Sequence, residues 1–121
     1  MRKIFFLLAI VWLGILSAKD ILILNSYRES WPWTKIQNDT IVKNLKNSQF
    51  KDLKIYTEFM DTKIFRPNPK REKILIDYYK KKYEGISFDI VFVTDDNAIN
   101  FVRKYKKEDI FKNSKVSYFV R

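Results

Sequence analysis

The sequence predicts an α/β fold, an open parallel sheet with helices on both faces in the order βαβαβαβ. Two continuous apolar segments, Asp20–Ser26 and Phe88–Thr94, have the composition of strands that are buried on both faces of a parallel sheet. The segments that alternate with the strands show apolar residues at helical spacing. This alternation, with its short loops, indicates parallel strands joined by crossover helices.

The first strand, Asp20–Ser26, ends in residues that favour turns. The next segment is predicted to be a helix because its apolar residues recur at helical spacing. Thr34 can cap the start of this helix, and Asn47 should end it. Leu53–Met60 then alternates apolar and polar residues, which is typical of a strand.

The segment Asp61–Pro69 contains two of the three prolines and should form an ordered loop. A second helix is expected over Lys70–Glu84, where apolar residues fall on one face, and Gly85 is well placed to end it. The strand Phe88–Thr94 follows.

The last two elements are a third helix over Asn97–Tyr105 and a fourth strand over Val116–Val120. Asp95, Asp96 or Asn97 could cap that helix, since each has a short polar side chain.

The N-terminus resembles a secretory signal peptide. A basic start, Met1–Lys3, precedes the apolar run Ile4–Leu16, and the small residues Ser17 and Ala18 follow. The run is shorter than the ~20 residues that span a bilayer, so we expect cleavage after Ala18 and export to the periplasm. The remaining residues, 19–121, are enough for one domain. The alternative is an uncleaved N-terminal membrane anchor, because Leu16 occupies a position where signal peptidases prefer a small residue.

Composition excludes several functions. The formal net charge is +10, but the lysines are spread over several predicted helix faces, so we expect a solvated surface and no nucleic-acid partner. The chain has no cysteine and no histidine, which excludes disulfides, thiolate or histidine metal sites and Ser-His-Asp chemistry. We therefore expect no cofactor, no metal and no enzymatic activity.

Candidate ligand-binding residues lie where strands end. Ligands of open α/β sheets bind at the carboxyl edge, near the point where the strand order reverses. The loops after the first and third strands supply a hydroxyl, two aromatic faces and two further polar groups, from Ser26, Tyr27, Trp33, Asp95 and Asn97.

Each loop also has a purely structural interpretation. Trp31 and Trp33 could plug the sheet edge or pack on a neighbouring helix. Asp95 and Asp96 could act as a general acid and base, but no nucleophile or metal ligand accompanies them. Lys63 would sit at the same edge or serve as a surface ion-pair partner.

Six short blocks resemble successive motifs of one family. They are Asn25-Ser26-Tyr27, Trp33-Thr34, Met60-Asp61-Thr62-Lys63, Lys82-Tyr83, Asp95-Asp96-Asn97-Ala98 and Asn100-Phe101. The family is that of periplasmic substrate-binding-protein-like domains, found as solute-binding components of ABC transport systems and as extracytoplasmic sensor regions of bacterial histidine kinases. The resemblance extends from Ile21 to Val120.

This resemblance implies the first lobe of a two-lobed type I binding-protein fold, which holds a small ligand between its lobes and performs no catalysis. It also implies that the first-lobe side of the cleft is lined by Ser26, Tyr27, Trp33, Asp95 and Asn97. Arg28 stands where the family commonly has a histidine, which alters the expected charge preference for the ligand. Family members are longer, so we expect a truncated chain that lacks the second lobe.

The sequence therefore predicts an exported ligand-binding fragment, either a solute-binding component or a sensor. Its expected partners are a small-molecule ligand and a membrane permease or the remainder of a sensor kinase. The alternative is a small secreted protein-interaction module that uses an exposed sheet edge.

Overall fold

A computed structural model of the chain describes residues 19–50 and 52–119. The predicted signal peptide, residues 1–18, lies outside the described residues. Strands and helices alternate as predicted: β1 (Lys19–Asn25), α1 (Pro32–Lys46), β2 (Leu53–Phe59), α2 (Pro69–Lys82), β3 (Ile90–Thr94), α3 (Asp95–Lys104) and β4 (Lys115–Phe119). In this part of the chain no helix is both long and apolar enough to cross a membrane.

The four strands form one parallel sheet in the order β2-β1-β3-β4. β1 pairs with β2 on one side, with Ile21 opposite Ile55, and with β3 on the other, with Ile21 opposite Ile90. The chain therefore runs outward from β1 to β2 and then crosses back to β3. The strand order reverses between β1 and β3, which is the position where doubly wound sheets open a crevice at their carboxyl edge.

Both faces of the sheet are covered, which confirms the predicted α/β class. In β1, Ile21 and Ile23 pack in a cluster with Ile41 and Leu45 of α1. Leu22 and Leu24 point to the other face of the sheet, where they pack in a second cluster with residues of α2 and α3. The continuous apolar run of β1 thus follows from burial on both sides, where each such side chain contributes about 1.5–3 kcal/mol.

An aromatic cluster holds α2 and α3 against the sheet. The Tyr79 and Phe101 rings meet edge to face with centroids 5.9 Å apart, and Tyr83 meets Phe88 in the same way at 5.1 Å. Edge-to-face pairs add about 0.5–1.5 kcal/mol beyond the burial of their area. The Tyr83 hydroxyl also donates to the carboxylate of Glu58, which ties the end of α2 to β2.

Two helix starts differ from the sequence-based expectation. α1 begins at Pro32 with Trp31 as its N-cap, so Thr34 is an interior helical residue and not the cap. The reason is that proline fixes a helical φ and lacks the N–H that a first-turn residue leaves unpaired. α3 begins at Asp95 with Thr94 at the N-cap position, so the prediction that Asp95, Asp96 or Asn97 is the cap is wrong.

Candidate functional site

Three loops meet at the carboxyl edge of β1, β2 and β3. Backbone hydrogen bonds join them: the N–H of Met60 donates to Asn25 at 2.8 Å, and the N–H of Thr62 donates to Ser26 at 2.9 Å. The N–H of Ser26 in turn donates to the carbonyl oxygen of Thr94 at 3.3 Å. The loops after β1 and β2 and the start of α3 are therefore held together at the reversal point.

Ser26 is a buried structural residue at this edge. Its side chain is 0% exposed, and its hydroxyl donates to the carbonyl oxygen of Thr94 at 2.6 Å. The Ser26 hydroxyl oxygen also accepts a hydrogen bond from the N–H of Ala98 at 2.8 Å. Ala98 is the fourth residue of α3, and in a regular helix its N–H would donate to the carbonyl oxygen of the N-cap residue, Thr94. The Ser26 hydroxyl, directly after β1, thus bridges Thr94 and Ala98, whereas the Thr94 side chain makes no capping hydrogen bond.

Further uncharged side chains complete a buried network. The Thr94 hydroxyl donates to Asn25 at 2.9 Å, and the Asn25 amide donates to Asn38 of α1 at 3.0 Å. The Thr62 hydroxyl donates to the carbonyl oxygen of Ser26 at 2.8 Å and accepts the Asn97 amide at 2.7 Å. Because these buried polar groups have partners, the network rigidifies the base of the site without charge.

Two aspartates at this edge adopt left-handed backbone conformations. Asp61, after β2, has φ 58°, and Asp95, after β3, has φ 63°. Such conformations cost of the order of 1 kcal/mol for a non-glycine residue and cluster at functional sites. Arg28 holds the carboxylate of Asp61 in a two-pronged ion pair, with nitrogen–oxygen distances of 2.9 and 2.8 Å. This interaction raises the pKa of Arg28.

Above the buried network lies an open polar pocket of about 390 Å³, lined by Tyr27, Thr62, Lys63, Arg66 and Asn97. The ammonium group of Lys63 lies 4.7 Å from the centre of the Tyr27 ring and 4.9 Å from that of Trp31. We call this depression the polar pocket. It combines two cationic side chains with neutral donors and acceptors.

A second depression, the apolar groove, lies on the other side of the loop that follows β2. It also has a volume of about 390 Å³, and its lining includes Met60, Phe65, Ile74, Leu75 and Tyr78. Thr62 contributes to both depressions. The exposed wall of the groove is mostly apolar, although Arg71 and Glu72 also line it, whereas the lining of the polar pocket is mostly polar.

The structure brings together only part of the predicted site. Tyr27 and Asn97 line the polar pocket, while Ser26 lies buried in the network beneath it. Trp33 on α1 and Asp95 in the first turn of α3 line neither depression.

Trp31 and Trp33 are 42% and 37% exposed, so neither is buried as a plug of the sheet edge; packing on a neighbouring helix, the other structural interpretation, stays a prediction. No sequence pattern indicates Arg66, because its position depends on the path of a proline-containing loop. Lys63 was expected at the same edge, and it lines the polar pocket.

Among the described residues, no group of three or more histidine, cysteine or acidic side chains is arranged to hold a metal ion. Comparisons with family models, with curated proteins and with solved structures found no match to this chain. The site is therefore interpreted from its own residues.

Proposed function

We propose that this protein is an exported ligand-binding domain that recognises a small molecule in the polar pocket, as a solute-binding component or a sensor. The observation that carries the proposal is the position of the pocket. It lies at the carboxyl edge of the sheet, beside the reversal between β1 and β3, where open α/β sheets bind ligands.

The construction of the pocket supports binding. Its volume of about 390 Å³ falls within the 300–1,000 Å³ that is usual for small-molecule sites. The uncharged network of Ser26, Thr62 and Thr94 fixes its base, so little conformational entropy is lost when a ligand binds. The left-handed Asp61 and Asp95 place energetically costly backbone at the same edge.

The lining favours binding over catalysis. Tyr27, Thr62, Lys63, Arg66 and Asn97 include no carboxylate, so the pocket lacks the commonest general base that this histidine-free chain could supply. The hydroxyl of Thr62 is engaged with Asn97 and Ser26 and is not paired with a base that could activate it.

A thermal unfolding screen tests the proposal. The purified protein is heated with amino acids, sugars and purines, and a ligand that binds the native state raises Tm, by an amount equivalent to about 2.7 kcal/mol at a hundred times its Kd. Asn97→Leu, which removes the amide from the pocket, should reduce this rise. Asn100→Leu is the matched control, because Asn100 is exposed on the same helix and does not line the pocket. A rise that Asn97→Leu leaves unchanged would place the ligand elsewhere and contradict the proposal.

A second candidate function is protein interaction through a sheet edge. It is favoured by β2 and β4, which each pair with one strand among the described residues, and by Tyr118, which is exposed on β4. The simplest partner for such an edge is a second copy of the chain. Light scattering over a wide range of protein concentrations tests it, since a constant mass of one chain would exclude edge pairing between copies.

A further inference from the structure

The polar pocket contains cations that no described carboxylate pairs with. Within the described residues neither Lys63 nor Arg66 forms an ion pair, whereas seven other basic residues do: Arg28, Lys35, Lys73, Lys80, Lys82, Lys104 and Lys112. Asp61 is the only acidic residue in the loop over residues 61–68, and its carboxylate forms an ion pair with Arg28. The lining itself adds no negative charge.

The ammonium group of Lys63 is positioned by aromatic rings and not by a carboxylate. It lies within 5 Å of the ring centres of both Tyr27 and Trp31. Such cation–π contacts restrain the side chain but leave its positive charge uncompensated, because an aromatic ring carries no net charge. Lys63 can therefore offer its N–H donors to a bound anion.

Arg66 is held beside Lys63 by the backbone that follows it. Pro67 restricts Arg66 to extended conformations, and the carbonyl oxygen of Arg66 accepts a hydrogen bond from the guanidinium of Arg71 at 3.1 Å. Asn68 then caps α2 by accepting the N–H of Arg71 at 2.9 Å. The helix thus anchors the loop that places Arg66 in the pocket lining.

We infer that the polar pocket recognises an oxyanion, a carboxylate or a phosphate group, on its small-molecule ligand. Lys63 and Arg66 bind the anion as charged donors, and Asn97 supplies a neutral amide beside them. This inference rests on the proposed function and specifies the chemistry that the ligand must have.

The test is a titration of the ¹⁵N-labelled protein, followed by backbone amide chemical shifts, at constant ionic strength. The probes are benzoate, benzamide and inorganic phosphate. We expect benzoate or phosphate to shift the amides of Thr62, Lys63 and Asn97, and benzamide, which has the shape of benzoate without its charge, to leave them unchanged. A response to benzoate alone identifies a carboxylate, and a response to phosphate alone identifies a phosphate.

Variants separate this site from the general positive charge of the protein. Lys63→Met and Arg66→Met should each raise the Kd of the responding anion roughly tenfold, because each loses one charge-assisted contact. Both side chains are exposed, so the fold should survive. Lys46→Met, at the C-terminal end of α1 and thus at the opposite end of the sheet, removes the same charge and should leave the Kd within about twofold.

Three results would overturn the inference. Benzamide could shift the pocket amides as strongly as benzoate, in which case the pocket binds ligands without reading charge and the proposed function stands. Lys46→Met could weaken binding as much as Lys63→Met, which would show diffuse attraction to a basic surface. The third result is that neither benzoate nor phosphate, at several millimolar, shifts the amides of Thr62, Lys63 and Asn97. In that case the screen of sugars and purines, which carry no carboxylate or phosphate, decides the proposed function separately.

Discussion

Ser26→Ala tests the central structural feature of the site. The substitution removes one hydroxyl that donates to the carbonyl oxygen of Thr94 and accepts the N–H of Ala98, at a position that is fully buried. Thr94 keeps a hydrogen bond from the N–H of Ser26. The N–H of Ala98 loses this partner, and the carbonyl oxygen four residues before it, that of Thr94, is the group that the Ser26 hydroxyl bridges to it.

The size of the effect follows from these bonds. A buried donor left without a partner costs about 1–3 kcal/mol, and loss of a serine N-cap costs about 0.5–2 kcal/mol. We therefore expect Ser26→Ala to lower the free energy of unfolding by about 2 kcal/mol. For a domain of this size that corresponds to a fall in Tm of about 8–16 °C, or a shift of about 1 M in the urea midpoint.

The assay is urea unfolding followed by circular dichroism, with amide hydrogen exchange at Ala98 as the local measurement. Ser30→Ala is the control, since Ser30 is an exposed serine in the same loop and its replacement should change stability by no more than about 0.5 kcal/mol. If Ser26→Ala is as stable as Ser30→Ala and exchange at Ala98 is not accelerated, the bridging role of Ser26 is refuted.

Three further predictions concern stability. Burial raises the pKa of Tyr79, so the folded protein keeps the phenolic proton at a pH where the unfolded chain releases it. The free energy of unfolding should therefore fall as pH rises above about 10, by up to about 1.4 kcal/mol per pH unit for this group. Tyr79→Phe should flatten that fall in urea titrations between pH 9 and about 11, whereas Tyr78→Phe, at an exposed neighbour, should not. Gly85→Ala should lower the free energy of unfolding by about 1–2 kcal/mol through backbone strain alone, because φ is +84° and no atom lies within 4 Å of the added methyl group; a neutral result in chemical denaturation would contradict this reasoning. Gln37→Met should raise Tm, since both polar atoms of the buried Gln37 side chain lack a hydrogen-bond partner among the described residues; a lower Tm would show that the amide is satisfied in solution.

The fold could be predicted because its strongest signals are local. β1 and β3 are uninterrupted apolar runs, which only a sheet covered on both faces requires. The predicted end of α2 was wrong, because the helix ends at Lys82 with Tyr83 as its C-cap and Gly85 follows two residues later. Helix starts were less predictable. Pro32 begins α1 two residues before the expected cap, and a hydroxyl from Ser26, distant in sequence, serves the start of α3.

The candidate site was predicted in location but only partly in composition. The loops after β1 and β3 could be assigned to one sheet edge from topology, and Tyr27 and Asn97 do line the pocket there. Ser26 looked like a ligand-binding hydroxyl because sequence does not show that its oxygen is already engaged on both sides. Arg66 could not be found, because its place beside Lys63 depends on the three-dimensional course of the loop after β2.

A crystal structure of the protein with the screened compound that raises Tm most would show whether the polar pocket is the binding site. We expect the ligand to lie in the polar pocket, in contact with Lys63, Arg66 and Asn97, above the buried Ser26 network. A ligand that instead occupies the apolar groove beside Phe65 would contradict this expectation, because binding would then depend on α2 and not on the reversal of strand order.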